Sequence, residues 1–158
     1  MNTCLPLAIE PARANAPDAA ALITELDGYL AGLYPPQSNH GLTIAQIAQP
    51  NVRFFVLRQA GEAIGCGAFV NVDGEYAEIK RMYVRPAQRG RRLGRRLLEF
   101  VEARARDDGL WLARLETGIA QPEALALYER GGYRRRGPFG SYEPDPLSVF
   151  MEKSLDVR

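Results

Sequence analysis

The chain has 158 residues, of which 46% are hydrophobic and 25% charged, and its formal net charge is +1. This length and composition allow a core that folds without disulfides or a structural metal, so residues 1–158 are expected to form a single domain. Two cysteines, Cys4 and Cys66, and the lone histidine, His40, exclude a Cys-rich or His-rich zinc cluster. No apolar run approaches the roughly 18 residues that span a bilayer, and Met1 to Ile9 does not resemble a signal peptide. We expect a cytoplasmic protein without a metal site or membrane association.

The first half of the chain predicts two helices and three meandering strands. Leu5 to Ile9 is a candidate first strand, and an alanine-rich helix extends from Pro17 to about Tyr34, where two consecutive prolines end it. A short helix is predicted over Thr43 to Ala48. Glycine-containing turns then separate three runs typical of strands, namely Val52 to Gln59, Ala63 to Val72 and Glu75 to Val84.

The second half alternates helices and strands. Pro86 ends the preceding strand, and the spacing of apolar residues from Leu93 to about Asp108 indicates an amphipathic helix. The remaining predicted elements are a strand from Leu110 to Thr117, a helix from Pro122 to Gly131, and strands from Tyr133 to Arg136 and Leu147 to Lys153. This order predicts an α+β fold with a mixed, mostly antiparallel sheet of six to seven strands and about four helices. Residues 76–117 form a parallel strand-helix-strand unit in it.

The basic residues are distributed unevenly along the chain. Between Lys80 and Arg114 lie 11 of the 20 basic residues but only four acidic ones. A local positive charge of this kind favours a phosphate-bearing partner, either a nucleotide-type cofactor or nucleic acid. Because 18 of the 20 basic residues are arginines, composition alone, with a solvated arginine-rich helix face, is the simpler alternative.

The segment Val84 to Phe100, VRPAQRGRRLGRRLLEF, favours the phosphate interpretation. The backbone N–H groups of Arg89 to Gly94 are expected to line a loop and the first turn of a helix, where amides lack intrahelical acceptors. Positive side chains in this turn are unfavourable by roughly 0.3 to 1 kcal/mol each unless an anion offsets them; they are Arg91, Arg92, Arg95 and Arg96. Surface ion pairs at i,i+4 spacing are the alternative, and the candidates are Arg95 with Glu99 and Glu102 with Arg106.

Three segments of the chain resemble one protein family. The segment Gln88 to Gly94, QRGRRLG, is neither a Walker loop nor a Rossmann loop. It resembles the R/Q-x-x-G-x-G/A acetyl-CoA signature of the GNAT superfamily of N-acetyltransferases, with Arg92 in place of the first signature glycine. Ala77 to Val84, AEIKRMYV, resembles the strand that precedes this loop in the family. Gln121 to Tyr133, QPEALALYERGGY, resembles its later N-x-x-A-x-x-L-Y-x-x-x-G-F motif.

The resemblance covers about Arg53 to Leu155 and implies an acetyl-CoA-dependent N-acetyltransferase with a GNAT-like fold. Acetyl-CoA is the implied cosubstrate, and the acetyl group passes to a primary amine of a small molecule by direct attack in a ternary complex. A protein N-terminal or lysine acetyltransferase is an alternative. From other classes, a nucleic-acid-binding module and a non-catalytic acyl-CoA sensor are also considered. We expect no nucleic-acid partner because few aromatics accompany the basic residues; the oligomeric state, a homodimer included, stays open.

The resemblance also implies roles for individual residues. Glu78 is the candidate general base and Tyr128 the acid that protonates the departing thiolate, while the backbone N–H of Val84 stabilises the oxyanion. Their structural alternatives are an ion pair of Glu78 with Lys80 and a core position for Tyr128. The implied cofactor-binding residues are Met82, Tyr83, Val84, Arg89, Gly90, Arg91, Arg92, Leu93, Gly94, Arg95 and Gln121.

Strand geometry adds one expectation about Glu78. Strand alternation puts Glu78 on the same face as Lys80, Met82 and Val84 unless a bulge intervenes.

The acceptor side has weaker signals. Tyr34 and His40 belong to an irregular proline-containing segment, and Tyr142 to a late proline-rich loop; with Lys80 they are the candidate acceptor-binding residues. Lys80 and Arg81 could attract an acceptor carboxylate. Glu116, at the end of a predicted strand, is a second candidate acid that ranks below Glu78.

Overall fold

The computed structural model describes residues 6–156, so Cys4 and the first residue of the predicted first strand, Leu5, lie outside the described part. The described strands are β1 (Leu7–Pro11), β2 (Val52–Gln59), β3 (Glu62–Val72), β4 (Tyr76–Val84), β5 (Leu112–Gly118), β6 (Arg134–Arg136) and β7 (Ser148–Ser154). The helices are α1 (Pro17–Leu33), α2 (Ile44–Ile47), α3 (Leu93–Asp107) and α4 (Pro122–Arg130), and 3-10 turns lie at Pro36–Ser38 and Pro86–Gln88. These elements confirm the α+β prediction.

All seven strands form one sheet in the order β1-β2-β3-β4-β5-β7-β6. Neighbouring strands are antiparallel except β4 and β5, which are parallel and connected through α3. The parallel unit predicted over residues 76–117 is therefore confirmed. Its pairing is short, because only Ala77 with Ala113 and Glu78 with Arg114 are in register.

Helices cover both faces of the sheet. On one face, Leu22, Ile23 and Leu26 of α1 pack against apolar side chains of β2 and β3. On the other face, Leu98 and Val101 of α3 pack with strand residues and with α4. Full burial of such a side chain stabilises the fold by roughly 1.5 to 3 kcal/mol relative to an exposed one. No helix within residues 6–156 has the length and apolar character needed to cross a membrane.

A β-bulge at Arg81 interrupts the alternation of β4. Lys80 pairs with Ala68 and Tyr83 pairs with Cys66, so Gly67 of β3 alone faces two residues of β4. Arg81 has a φ of 58°, in the left-handed region. One inserted residue shifts every later side chain to the opposite face.

The bulge overturns one sequence-based expectation. Met82 packs on the α3 side, where a Cβ at Gly67 would lie 2.6 Å from the Met82 sulfur. Glu78 and Lys80 lie on the α1 side. The expectation that Glu78, Lys80, Met82 and Val84 share one face is therefore wrong.

Contacts of Arg81 hold the bulge in place. The buried guanidinium donates from Nε to the Leu42 carbonyl oxygen at 2.8 Å and from Nη1 to Asp27 at 2.6 Å. The Cys66 thiol below it donates to the Arg81 carbonyl oxygen at 3.3 Å, and burial raises the pKa of this thiol to about 12. Cys66 is thus an inert core residue.

Candidate active site

A cleft opens between β4 and β5 beyond the last paired residues, Glu78 and Arg114. It contains a cavity of about 90 Å³. Its lining includes Met82 from β4, Glu116 from β5 and Tyr128 from α4. Glu116 belongs to the α1 face of the sheet, whereas Tyr128 belongs to the cluster on the α3 face, so the cleft is reached from both faces. The bulge at Arg81 lies at this cleft.

A cradle of unused backbone donors lies where the loop after β4 enters α3. The amide of Arg89 donates to the Pro86 carbonyl at 3.2 Å, and the amide of Arg96 donates to the Arg92 carbonyl at 3.1 Å. Between them, the amides of Gly90 to Arg95 have no hydrogen-bond acceptor in the part of the chain that the structure describes. Donors at a helix N-terminus bind anions, because the helix dipole adds positive potential. The cradle therefore fits a phosphate or pyrophosphate group.

The arginine side chains around the cradle divide into two groups. Arg89 donates to the Val84 carbonyl at 3.1 Å, Arg91 donates to two glutamine side chains, and Arg95 pairs with Glu99 at 3.0 Å. The exposed Arg92 and Arg96 have neither an ion pair nor a side-chain hydrogen bond among residues 6–156. The surface-pair alternative thus applies to Arg95, whereas Arg92 and Arg96 remain available for an anion.

The second predicted surface pair does not form. Glu102 is buried and accepts hydrogen bonds from Tyr133 at 2.8 Å and from Lys153 at 2.9 Å instead of pairing with Arg106. It is a buried core contact that holds α3 to the last strands. Burial and the Glu102 charge raise the pKa of Tyr133 well above its usual range.

The Tyr128 hydroxyl is a polar group at the cleft that the protein itself leaves without a hydrogen bond. Its side chain is buried and its ring packs edge-on against Tyr133, with 5.7 Å between centroids. Tyr128 lines the cavity, and its hydroxyl forms no hydrogen bond within residues 6–156. Because no fully buried polar side-chain atom in these residues lacks a partner, this hydroxyl is not fully buried. Burial raises the pKa of Tyr128 well above its usual value, and the nearby Glu116 raises it further. The group therefore stays protonated and can donate to whatever occupies the cavity.

Tyr34 closes one end of the cleft. Its hydroxyl donates to the Gln121 amide oxygen at 3.0 Å and accepts from the Ala120 backbone N–H at 3.1 Å. A Cβ at Gly118 would lie only 1.8 Å from the Tyr34 hydroxyl oxygen. Glycine at position 118 therefore lets the end of α1 contact the beginning of α4, and Gln121 lies in that contact.

Glu78 belongs to a network behind the cavity. The Tyr142 hydroxyl donates to Glu78 at 2.6 Å, and the Lys80 ammonium lies 3.3 Å from the same carboxylate oxygen. Lys80 also donates to the Tyr142 hydroxyl and to the His40 backbone carbonyl, both at 2.7 Å. Burial, followed by the Glu78 charge, raises the pKa of Tyr142 far above its usual range. Glu78 and Tyr142 are not among the described residues that line the cavity.

Glu116 is the carboxylate that does line the cavity. It accepts a hydrogen bond from the Ser148 hydroxyl at 2.7 Å. Burial raises the pKa of Glu116 to about 7, against opposing effects of Ser148 and Lys80. This carboxyl group therefore changes its charge near neutral pH.

The sequence profile of the Acetyltransferase (GNAT) family matches residues 13–133. The chain belongs to this family. An IAA acetyltransferase from Azospirillum brasilense is 53% identical over 135 residues, which cover 85% of this chain and 88% of that protein. A Klebsiella pneumoniae structure, described as an acyl-CoA N-acyltransferase, is 41% identical with a TM-score of 0.81 and covers 95% of this chain and 98% of its own.

The enzyme is an acetyl-CoA-dependent N-acetyltransferase, and acetyl-CoA is its cosubstrate. A GNAT acetyltransferase from Elizabethkingia anophelis whose structure contains acetyl-CoA shares the fold, with a TM-score of 0.66 at 19% identity over 94% of this chain and 97% of that one. The donor set of the present chain fits this cosubstrate, since the free amides of Gly90 to Arg95 suit a pyrophosphate.

The N-acetyltransferase brings most of the sequence-predicted residues together. Met82, Gln121 and Tyr128 line the cleft, and Gly90 to Arg95 form the cradle beside it; Arg89 directly precedes the cradle, and its amide donates to Pro86. Of the predicted acceptor residues, Tyr34, His40 and Lys80 line the cavity, whereas Tyr142 lies behind Lys80. The family resemblance ranked Glu116 below Glu78; of the two carboxylates, Glu116 lines the cavity and Glu78 contacts Tyr142 and Lys80 behind it.

Proposed function

We propose that this enzyme transfers the acetyl group of acetyl-CoA to a primary amine of a small molecule by direct attack in a ternary complex. The observation that carries the proposal is the small cavity of about 90 Å³ that Glu116 and Tyr128 line from opposite faces of the sheet. An acceptor on one face and a thioester on the other would meet between these two groups. The name of the IAA acetyltransferase relative also favours a small acceptor.

Two loops cover the acceptor side and favour a closed pocket over an open groove. The Ser38 hydroxyl donates to Asp145 at 2.6 Å, which connects the loop after α1 to the loop before β7. Lys80 connects to the first loop through the His40 carbonyl and to the second through Tyr142. A protein substrate would need this cover to open, so a small molecule is the better supported acceptor.

We assign the cosubstrate side by the same geometry. The amides of Gly90 to Arg95, with Arg92 and Arg96, would hold the phosphates, and Gln121 and the backbone of Met82 to Val84 would contact the pantetheine arm. The Val84 N–H would donate to the thioester oxygen, and Tyr128 would protonate the departing sulfur. Acetyl-CoA supplies the activated acetyl group.

Lys80 and Arg81 are not expected to bind a carboxylate group of the acceptor. Lys80 is engaged by Glu78 and Tyr142, and Arg81 by Asp27 and the Leu42 carbonyl. Both cations are thus already neutralised by the protein. This removes the basis for the earlier hypothesis that they attract an acceptor carboxylate.

The experiment that tests the proposal has two parts. Calorimetric titration with acetyl-CoA comes first, followed by CoA-thiol release with amino acids, simple amines, polyamines and lysine-containing peptides. We expect binding, and thiol release with at least one small amine. Release only with peptides would replace the small-molecule acceptor with a protein, and binding without any release would favour a non-catalytic sensor.

A matched pair of variants tests the cradle. Replacing Arg92 and Arg96 with alanine should weaken acetyl-CoA binding by about tenfold or more, because both side chains lack a protein partner and can face phosphate. Arg13→Ala removes an exposed arginine from the loop between β1 and α1, outside the cradle, and should leave the affinity unchanged. Equal affinities in all three proteins would contradict the placement of the phosphates.

A further inference from the structure

Two carboxylates on neighbouring strands are candidates for removing the acceptor's proton. Glu78 of β4 is in register with Arg114 of β5, and Glu116 lies two residues further along β5 on the same face. The cavity begins just beyond that register pair, and Glu116 lines it together with Tyr128. Position alone therefore gives Glu116 access to an acceptor in the cavity.

The contacts of Glu78 suit a positioning role. One carboxylate oxygen accepts from Tyr142 and also faces the Lys80 ammonium, and the side chain is only 12% exposed. The charge of Glu78 is thus balanced by a neighbouring cation. The same contacts fix Lys80, which in turn holds the His40 carbonyl and so the loop over the cavity.

The surroundings of Glu116 leave it able to accept a proton. Its one hydrogen bond within residues 6–156 comes from Ser148 on β7. The charged and titratable groups that face it are Lys80 and Glu78 on β4, Asp145 and Tyr142 in the loop before β7, Tyr34 at the end of α1 and Tyr128 on α4. Lys80, which Glu78 already balances, is the one cation in this set.

We infer that Glu116 is the catalytic base, receiving the acceptor ammonium and taking its proton, while Glu78 is a positioning residue that acts through Lys80 and Tyr142. This inference rests on the proposed transfer to an amine. A carboxyl group that ionises near pH 7, as burial makes Glu116 do, is well matched to this task.

The proton and electron transfers balance as follows. The ammonium gives one proton to the Glu116 carboxylate, and the freed lone pair forms the N–C bond to the acetyl carbonyl carbon. The C–S bond breaks, its electron pair stays on sulfur, and Tyr128 protonates that sulfur. The second proton leaves the nitrogen and restores the Tyr128 hydroxyl through solvent. Glu116 releases its proton to solvent, so the net products are amide, CoA thiol and one proton.

The test compares the pH dependence of kcat/KM in Glu116→Gln and Glu78→Gln, with the amine that gives the fastest thiol release. We expect Glu116→Gln to lower kcat/KM by about 10²-fold or more at neutral pH and to remove the acid limb near pH 7. Glu78→Gln should keep that limb. Retention of the limb in Glu116→Gln, or its loss only in Glu78→Gln, would overturn the inference. Calorimetric titration with acetyl-CoA should give the same affinity in both variants.

A conservative variant and a neighbouring one strengthen the comparison. Glu116→Asp keeps a carboxylate and should retain an acid limb at reduced kcat. Ser148→Ala removes the hydrogen bond that lowers the pKa of Glu116, so the limb should move to higher pH. A limb that stays in place in Ser148→Ala would assign it to another group and contradict the role of Glu116.

Failure of the inference can be separated from failure of the proposed function. If the wild-type enzyme acetylates no amine, the proposed function fails. The inference is then tested by following the carboxyl carbon signal of Glu116 against pH by carbon-13 NMR. The signal is assigned as the one that is lost in Glu116→Gln. A midpoint above about 6 supports a group that can act as a base near neutral pH, and a midpoint below about 6 overturns it.

Discussion

Two neighbouring tyrosines illustrate how hydrogen bonding decides the role of a residue. Tyr128 and Tyr133 are both buried and their rings are in contact, but the Tyr133 hydroxyl donates to Glu102 while the Tyr128 hydroxyl has no partner in the described structure. Tyr128→Phe should therefore lower kcat about 10²-fold and leave the free energy of unfolding within about 0.5 kcal/mol. Activity assays and thermal unfolding of the same preparations check both parts.

Tyr133→Phe is the matched control for Tyr128. It leaves Glu102, a buried carboxylate, without one donor and should lower the free energy of unfolding by about 1 to 3 kcal/mol while kcat changes little. If Tyr128→Phe turned over at the wild-type rate, Tyr128 would not be the acid.

Glu116 should make the stability of the enzyme depend on pH. Burial raises its pKa from 4.5 to about 7, so the folded protein holds this proton more tightly than the unfolded chain. The stabilisation of the folded state that this tighter proton binding provides is fully present below pH 4.5 and is lost as the pH rises through about 7. Relative to the wild type, Glu116→Gln should gain about 2 kcal/mol in unfolding free energy between pH 5 and pH 8. Urea unfolding at several pH values measures the difference.

Tyr128→Phe also serves as the control for this pH series. The hydroxyl it removes stays protonated throughout this range, because burial raises its pKa, so its stability difference from the wild type should not vary with pH. A constant difference for Glu116→Gln as well would show that Glu116 ionises alike in the folded and unfolded states.

Arg92 combines a strained backbone with an available side chain. It occupies the position of the first signature glycine and has a φ of 58°, which is unfavourable for a residue with a Cβ by roughly 1 kcal/mol. Arg92→Gly should therefore raise the unfolding free energy by about 0.5 to 1 kcal/mol and weaken acetyl-CoA binding. Arg96→Ala, without this strain, should weaken binding and give no such stabilisation. Loss of stability in Arg92→Gly would contradict the strain argument.

At the scale of elements, the contact between α1 and α4 depends on Gly118. A Cβ there would overlap the Tyr34 ring and hydroxyl, so Gly118→Ala must displace Tyr34 and break its bonds with Gln121 and Ala120. We expect a loss of about 2 kcal/mol in unfolding free energy and a lower kcat/KM. Denaturant titration and steady-state kinetics measure both effects.

Two further variants separate this contact from general effects of glycine. Gly28 in α1 has no atom near its Cβ position, so Gly28→Ala should stabilise the helix by about 0.5 to 1 kcal/mol. Tyr34→Ala combined with Gly118→Ala removes the overlap, and the losses should then be less than additive. Strict additivity would show that Tyr34 and Gly118 do not interact.

The elements were predictable because each has a local signal, whereas the faces of β4 were not. Pro17 and Pro122 begin α1 and α4, and β2 has the predicted bounds Val52–Gln59. The bulge at Arg81 has no glycine to indicate it, since its positive φ is held by contacts with Asp27 and Leu42. Regular strand alternation therefore predicts that Glu78 and Met82 share one face. Only the observed register of β3 and β4 shows that they lie on opposite faces.

At the scale of the whole molecule, the cofactor side of the site is easier to predict from sequence than the acceptor side. The cradle is built from consecutive residues after β4, so its motif is readable in a single segment. The acceptor side depends on distant pairs, since Ser38 and Asp145 are 107 residues apart and Glu78 and Tyr142 are 64 apart. No local pattern encodes such contacts, so the sequence does not show that Glu78 meets Tyr142 and Lys80 while Glu116 lines the cavity.

Because β4 and β5 share one sheet with all other described strands, residues 6–156 should unfold as one cooperative unit. Acetyl-CoA contacts both the cradle and the cleft in the proposed complex, and at 100 times its Kd it should stabilise the folded state by about 2.7 kcal/mol. For a chain of this size that corresponds to a rise of roughly 5 to 10 °C in Tm. Calorimetric scans with and without acetyl-CoA measure this rise in Tm. As a control, a short DNA duplex at equal concentration should not change the Tm. Two separate transitions would contradict the single domain, and a shift with DNA alone would return the arginines around α3 to nucleic-acid binding.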